Sequence, residues 1–205
     1  MGCKIYLVRH GETIWNHALR YQGHADIPLN ERGRRQAEAL AERLKGEEFA
    51  AFYASDLQRA LDTARIVARP HGKEVIPLAS LREINFGAWE GLTREEIKKR
   101  FPEVAERWWQ APYHTRLPGG ETLAEVAARA VGALKEIAER HPESKVLVVS
   151  HGGTIRAAIG YLLRMDLNQY WRLRQDNAAL NIIELFEEEK AILMLFNDTS
   201  HLNGI

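Results

Sequence analysis

The sequence is short of cysteine, since Cys3 is the only one among 205 residues. A single cysteine cannot form an internal disulfide and cannot build a zinc site from thiolates alone. The composition is compatible with a reducing compartment, and we therefore expect a cytoplasmic protein.

The sequence also lacks a surplus of either charge and any long hydrophobic run. Lysine and arginine together number 28, as do aspartate and glutamate, so the formal net charge is zero. Binding to nucleic acid or to an anionic membrane generally needs a basic surplus, so we expect neither partner. The apolar run at residues 5–8 is too short for a signal peptide or a membrane span, and no later run reaches membrane length.

Several catalytic motifs are absent or incomplete. His10-Gly11-Glu12 fits the H-x-E of a zinc deaminase, but the P-C-x-x-C pair of that signature is missing. His151-Gly152-Gly153 resembles an oxyanion-hole loop, but no G-x-S-x-G elbow accompanies it. The nucleotide-binding motifs G-x-x-x-x-G-K and G-x-G-x-x-G are missing as well. No carboxylate-rich cluster of the kind that a metal-dependent phosphatase needs is present, so we expect no metal and no cofactor.

What the sequence does contain is an alternation of short apolar strands with helical patterns. Strands are predicted at 5–8, 49–54, 75–78 and 145–150, with a closing pair at 181–186 and 191–196 around a charged turn at 187–190. Helices are predicted at 30–44, 55–68, 94–100, 103–110, 121–140 and 152–163, the second opened by a capping box at Ser55. This alternation predicts an α/β fold with a largely parallel sheet. We expect one domain over 1–205, with about 84–120 as a possible cap.

Two of the predicted strands are followed at once by a histidine. His10 lies between Arg9 and a glycine after the first strand, and His151 precedes Gly152 and a second glycine after the strand at 145–150. In open α/β sheets, binding sites form at the edge where the parallel strands end at their carboxyl termini, so the two imidazoles should meet there. The helix after His151 would direct its free N–H groups at an anion.

Arginines strengthen the prediction of an anion site. Arg9 precedes the first histidine, and Arg59 lies one turn into the helix at 55–68. The planar guanidinium group pairs bidentately with phosphate oxygens. Residue pattern alone therefore indicates an anion-binding α/β enzyme, although each residue taken singly also has an ordinary structural explanation.

Five blocks of the sequence resemble, in order, the signature blocks of the histidine phosphatase superfamily. They are 7–13 (LVRHGET) with Asn16, 21–29 (YQGHADIPL), 55–64 (SDLQRALDTA), 81–91 (LREINFGAWEG) and 148–152 (VVSHG). The resemblance implies a phosphoglycerate mutase-like three-layer fold: a mostly parallel central sheet flanked by helices, with a small helical cap. It covers about 5–155 and identifies the chain as a member.

Residue roles follow from this resemblance. His10 would attack phosphorus and form a phosphohistidine, for which a neutral imidazole is needed. Arg9, Arg59 and His151 would hold the phosphoryl oxygens. Glu83 would protonate the leaving oxygen and then activate water. The residues expected to bind substrate are Asn16, Gln22, Gly23 and Gly152. From residue type alone, Glu12, Glu90 and Glu121 are equal candidates for the acid.

Departures from the mutase pattern favour a phosphatase. The insertion between the Glu83 block and the last histidine is short, Phe86 stands where mutases tend to have tyrosine, and Trp108-Trp109-Gln110 lacks the mutases' arginine pair. We expect a metal-independent hydrolase of a small phosphomonoester, resembling α-ribazole and broad-specificity phosphatases.

Two alternatives stay open, namely a cofactor-dependent phosphoglycerate mutase and a non-catalytic phospho-ligand-binding module. A homodimer is left open as well. Aromatic and histidine side chains that would set specificity are Trp89, Trp108, Trp109, Tyr113, His114 and His201. For Trp108 and Trp109 the alternative is that they serve only in helix packing.

Overall fold

The computed structural model describes residues 2–186 and 190–205 and is built on one six-stranded sheet. The strands are β1 (Cys3–Arg9), β2 (Ala51–Ala54), β3 (Val75–Pro77), β4 (Lys145–Ser150), β5 (Leu180–Leu185) and β6 (Ala191–Asp198). Their order is β3-β2-β4-β1-β5-β6, in which the first four are parallel. β5 and β6 form an antiparallel pair at one edge. The predicted α/β class with a mostly parallel sheet is confirmed.

Seven α-helices lie in the described residues. They are α1 (Ile14–His17), α2 (Glu31–Leu44), α3 (Gln58–Ala68), α4 (Arg94–Arg100), α5 (Pro102–Gln110), α6 (Leu123–Arg140) and α7 (Gly152–Leu162). Asn30 caps α2 through its side chain, and Thr122 caps α6 in a capping box with Glu125. No described helix is long and apolar enough to cross a membrane.

Side chains of the buried strands point alternately to the two faces of the sheet, and each face packs against its own pair of helices. Ile5 and Leu7 of β1 face one way and pack, with Val146 and Val148, against α6 and α7. The intervening residues of the same strands face α2 and α3. The sheet is therefore the middle layer of three, as expected.

Residues 84–120 contribute to a third apolar cluster. Trp89, Ile97 and Trp108 pack there against the start of α6 and against Tyr170. Their function as a cap over the site stays a prediction.

The predicted capping box at Ser55 is wrong. Leu57 occupies the cap position of α3 without a side-chain hydrogen bond, and the Ser55 hydroxyl accepts only from the Leu57 amide. Asp26, from a distant loop, accepts the Gln58 N–H at 2.7 Å and does the capping instead. The short helix α1 was not predicted, and the charged turn predicted at 187–190 falls largely on 187–189, which lie outside the described residues.

Candidate active site

The two histidines meet because their strands are neighbours. Arg9 at the end of β1 is in register with Ser150 at the end of β4, and the next residue of each strand is a histidine. The rings of His10 and His151 lie 5.1 Å apart between centroids, and both side chains are buried. The predicted meeting at the carboxyl edge of the sheet is what the structure shows.

Hydrogen bonding defines which nitrogen of His10 is available. Nδ1 lies 2.7 Å from the Gly11 carbonyl oxygen, which can only accept, so Nδ1 carries the proton. Burial and the neighbouring Arg59 and Arg9 guanidinium groups lower the pKa of His10 well below 6.5. The ring is therefore neutral at physiological pH, with a lone pair on Nε2.

Backbone carbonyls hold the two arginines. Arg9 donates from Nη1 to the Gln175 carbonyl at 2.6 Å, and Arg59 donates to the carbonyls of Gly23 and Ala25 at 2.7 and 2.8 Å. Burial lowers the pKa of each arginine to about 10, an effect that the nearby Glu83 carboxylate opposes. Both side chains therefore stay charged at neutral pH.

Several buried nitrogens around His10 have no protein partner. They are Nε of Arg9, Nε of Arg59 and both ring nitrogens of His151. An unpartnered buried polar group costs roughly 1–3 kcal/mol, so such a cluster indicates a place for a bound group. An anion with several acceptor oxygens would satisfy the N–H donors together. Burial and Arg59 also lower the pKa of His151 well below 6.5, so it stays neutral.

Glu83 lies at the N-terminus of α7, where the sequence predicted the substrate anion. Its carboxylate accepts from the N–H groups of Gly153 and Thr154 at 3.1 Å each, from the Thr154 hydroxyl at 3.2 Å, and from Ile84 N–H at 3.0 Å. Glu83 takes up two of the donors at the start of α7, so direct binding of the anion by the remaining N–H groups of this helix stays a prediction. The helix orients the carboxylate beside the cavity.

An arginine-carboxylate pair supports the segment that carries Glu83. Arg129 of α6 donates to the carbonyls of Ser80, Arg82 and Glu83 at 2.7–2.9 Å. The same guanidinium group forms a bidentate pair with Glu121 at 2.9 Å. Glu121, a candidate acid by residue type, therefore has a structural partner.

The remaining acid candidates are also occupied elsewhere. Glu90 accepts the His24 N–H, and Glu12 accepts from Asn30. Within the described residues, Glu83 is the only carboxylate on the wall of the cavity. Geometry thus separates Glu83 from residues that the sequence could not distinguish by type.

That cavity has a volume of about 360 Å³ and opens beside His10. Of the residues expected to bind substrate, Asn16 and Gln22 line it. The Asn16 amide oxygen accepts from Thr13 and Asn177. Its NH₂ group is therefore left as the donor that can reach a ligand.

Gly23 and Gly152 do not line the cavity. The Gly23 carbonyl holds Arg59, and its φ of 55° lies in the left-handed region that glycine tolerates best. A Cβ at Gly152 would lie 3.2 Å from Nε of Arg9. Both glycines stand behind arginine side chains, so direct contact of either with substrate stays a prediction.

Other lining residues were not proposed as site residues from the sequence. They are Leu19, Arg20, Tyr21, Phe86, Gly153, Arg156, Tyr170 and Trp171. Arg156 follows His151 by five residues on α7, a helix whose residues are mostly buried, and its residue type alone did not mark it as part of a site. Only the packing of α7 beside the cavity distinguishes it.

The expected specificity aromatics lie elsewhere. Trp89 and Trp108 are fully buried and pack edge to face, with centroids 6.3 Å apart. Trp109 stacks under Arg94, and Tyr113 borders a different cavity. His114 contacts the Tyr113 ring. His201 forms hydrogen bonds with the Arg43 guanidinium group and with the Ala178 carbonyl. None of the six lines the cavity beside His10. The packing alternative holds for Trp108, and Trp89 is buried in the same cluster.

Comparison with protein families decides the family of this chain. The model of the histidine phosphatase superfamily (branch 1) matches residues 5–199. This chain belongs to that superfamily. The match extends beyond the motifs at 5–155 and includes the antiparallel pair β5 and β6.

Two similar proteins and one solved structure agree with this assignment. The histidine phosphatase chain is 40% identical over 199 residues to phosphoserine phosphatase 1 of Hydrogenobacter thermophilus, covering 97% of this chain and 94% of that one. It is also 40% identical to the metal-independent phosphoserine phosphatase of Arabidopsis thaliana, covering 98% and 84%. The structure of YhfR from Bacillus stearothermophilus superimposes with a TM-score of 0.92 at 36% identity, covering 98% and 99%.

Within the described residues, this histidine phosphatase has no group of three or more His, Cys, Asp or Glu side chains arranged to hold a metal ion. The groups around His10 are instead cations and neutral imidazoles, which suit a phosphate anion directly.

Proposed function

We propose that this chain hydrolyses small phosphomonoesters without a metal ion, through a phosphohistidine on His10, and that phosphoserine is among its substrates. The observation that carries the proposal is the state of His10. The ring is neutral, its Nδ1–H is held by the Gly11 carbonyl, and Nε2 is left with a lone pair beside unpartnered N–H donors.

The first chemical step is transfer of the phosphoryl group to His10. Nε2 forms a bond to phosphorus while the bond from phosphorus to the ester oxygen breaks. Protonated Glu83 gives its proton to the leaving oxygen, which departs as an alcohol. Arg9 and Arg59 stabilise the charge on the phosphoryl oxygens as they pass through the transition state.

The second step returns the enzyme to its starting state. Water gives a proton to the Glu83 carboxylate and attacks phosphorus, and the bond between phosphorus and Nε2 breaks. Inorganic phosphate leaves, His10 is neutral again and Glu83 is protonated again. Over the two steps Glu83 gives up one proton and takes one back, and His10 gains and loses the phosphoryl group, so the protons balance over the cycle.

Phosphoserine is proposed because two relatives at 40% identity carry names that specify this substrate. The cavity also fits a small, doubly charged ester, since its wall combines four arginines with one carboxylate. The partner is then a small phosphate ester. A cytoplasmic location is proposed with it, on the single cysteine.

A direct test is hydrolysis of phosphoserine and of p-nitrophenyl phosphate by the purified protein in excess EDTA, beside His10→Ala. Turnover that survives the chelator and disappears in the variant is expected. Activity that requires metal, or that persists in His10→Ala, would contradict the proposal.

The same preparation separates the alternatives. A phosphoglycerate mutase would interconvert phosphoglycerates faster than it releases phosphate. A binding module would bind phosphoserine without releasing phosphate at all.

A further inference from the structure

Arg156 is an arginine of the cavity wall that the proposed mechanism does not use. It lies on α7, and its Nε donates to the Gly152 carbonyl one turn earlier at 3.0 Å. In residues 2–186 and 190–205 no carboxylate forms an ion pair with it, and its two terminal nitrogens donate to no protein atom. The guanidinium group is thus anchored at one nitrogen and available at two.

Aromatic rings hold this guanidinium group in position. Its central carbon lies 5.0 Å from the centroid of the Tyr170 ring and 5.4 Å from that of Trp171. Both rings also line the cavity, and Tyr170 is buried. Stacking uses the face of a guanidinium group and leaves its edge for hydrogen bonds, which is the geometry that a bidentate carboxylate requires.

Charge balance on the wall leaves Arg156 with one charge to match. The four arginines of the wall are Arg9, Arg20, Arg59 and Arg156. A bound phosphate carries about two negative charges, which Arg9 and Arg59 balance beside His10. Arg20 pairs with Glu96 at 3.0 Å. With Glu83 protonated, as the proposed first step requires, one positive charge remains on the wall, which a carboxylate matches and a second phosphate would exceed.

We infer that Arg156 binds a carboxylate of the substrate and sets a preference for phosphomonoesters that carry one close to the ester. This inference rests on the proposed function, because the phosphoryl group must be held at His10 for the carboxylate to reach α7. The substrate class is then phosphorylated hydroxy acids and hydroxy amino acids, as opposed to phosphate esters whose alcohol part is neutral or carries only a positive charge.

The test compares two esters that differ only in the carboxylate, namely O-phosphoserine and O-phosphoethanolamine. For the wild-type protein, kcat/KM should be higher for phosphoserine by about 10- to 100-fold, the range expected for a charge-assisted bidentate pair. In Arg156→Met the ratio of the two kcat/KM values should fall towards one. In Arg156→Lys it should be intermediate, because the charge stays and the fork is lost.

A matched control is Arg94→Met. Arg94 also stacks on a tryptophan, with its central carbon 4.6 Å from the Trp109 ring centroid, but lies outside the cavity. This variant should keep the wild-type ratio. A general loss of folded protein lowers both rates together and leaves the ratio unchanged, so the ratio isolates the carboxylate.

The outcomes distinguish this inference from the proposed function. A wild-type ratio near one, or a wild-type ratio retained in Arg156→Met, overturns the inference even when p-nitrophenyl phosphate is hydrolysed in a His10-dependent way. Failure of the wild-type protein to hydrolyse any of the three esters overturns the proposed function, and the inference with it.

Discussion

The function proposed for Glu83 predicts a specific pattern of losses in Glu83→Gln. The amide keeps the size of the side chain but cannot give up a proton to a leaving oxygen. Protonation by a positioned acid contributes about 10²- to 10⁴-fold to rate, so phosphoserine turnover should fall by that factor. Its leaving group is an alkoxide unless it is protonated. p-Nitrophenolate leaves readily without a proton, so the first step with p-nitrophenyl phosphate should fall far less.

The structure also gives the cost of this substitution to folding. Glu83 accepts two N–H groups at the start of α7, and an amide NH₂ would face one of these donors. Loss of one such hydrogen bond, with an N–H donor left facing the amide NH₂, costs about 1–2 kcal/mol. Typical domains are stable by about 5–15 kcal/mol, so the variant should stay folded, and unfolding cannot account for the loss of activity.

Stopped-flow absorbance is the assay. With p-nitrophenyl phosphate, Glu83→Gln should release one equivalent of nitrophenol in a burst and then turn over slowly, because water is no longer activated against the phosphohistidine. Equal losses on both substrates without a burst would refute the assignment of Glu83 as acid and base.

Four further perturbations have outcomes that the structure predicts. The folded-state pKa of His10 lies well below 6.5, so the unfolded chain binds a proton there that the folded chain does not as pH falls through and below that value. His10 alone should therefore lower the free energy of unfolding by up to about 1.4 kcal/mol per pH unit. Because the pKa of His151 is lowered as well, the slope in His10→Asn should be smaller than in the wild-type protein but not zero. Arg129→Met removes the donor to three carbonyls and should lower stability by about 2–3 kcal/mol in urea unfolding. Gly33→Ala would place a Cβ 2.1 Å from a backbone oxygen and should cost about 1–3 kcal/mol, whereas Gly132→Ala, with open space around it inside α6, should stabilise by about 0.5–1 kcal/mol.

Most of the fold was predictable because its strands are continuous apolar runs. β4 spans Lys145–Ser150 as predicted, since both of its faces are buried and polar residues bound it. The capping of α3 was not predictable, because Asp26 lies 32 residues before the amide that it accepts. A local pattern at Ser55 cannot exclude a better partner from a distant loop.

The site shows the same division. His10 and His151 could be placed together because each follows a strand of one parallel sheet. Glu83 could be selected only through the family resemblance, since its position depends on α7 and on Arg129. Arg156 could not be selected from the sequence. Whether its guanidinium group is free to bind a ligand depends on whether the fold brings a carboxylate next to it.

The measurement that tests the central claim most directly is trapping of the phosphoenzyme. The protein is mixed with radiolabelled phosphoserine and quenched in alkali within the first turnover, and the labelled peptide is identified by mass spectrometry. The account predicts an acid-labile, alkali-stable label on His10 that is absent from His10→Ala. A label on another residue, or turnover with no covalent intermediate and with inversion at phosphorus, would contradict it.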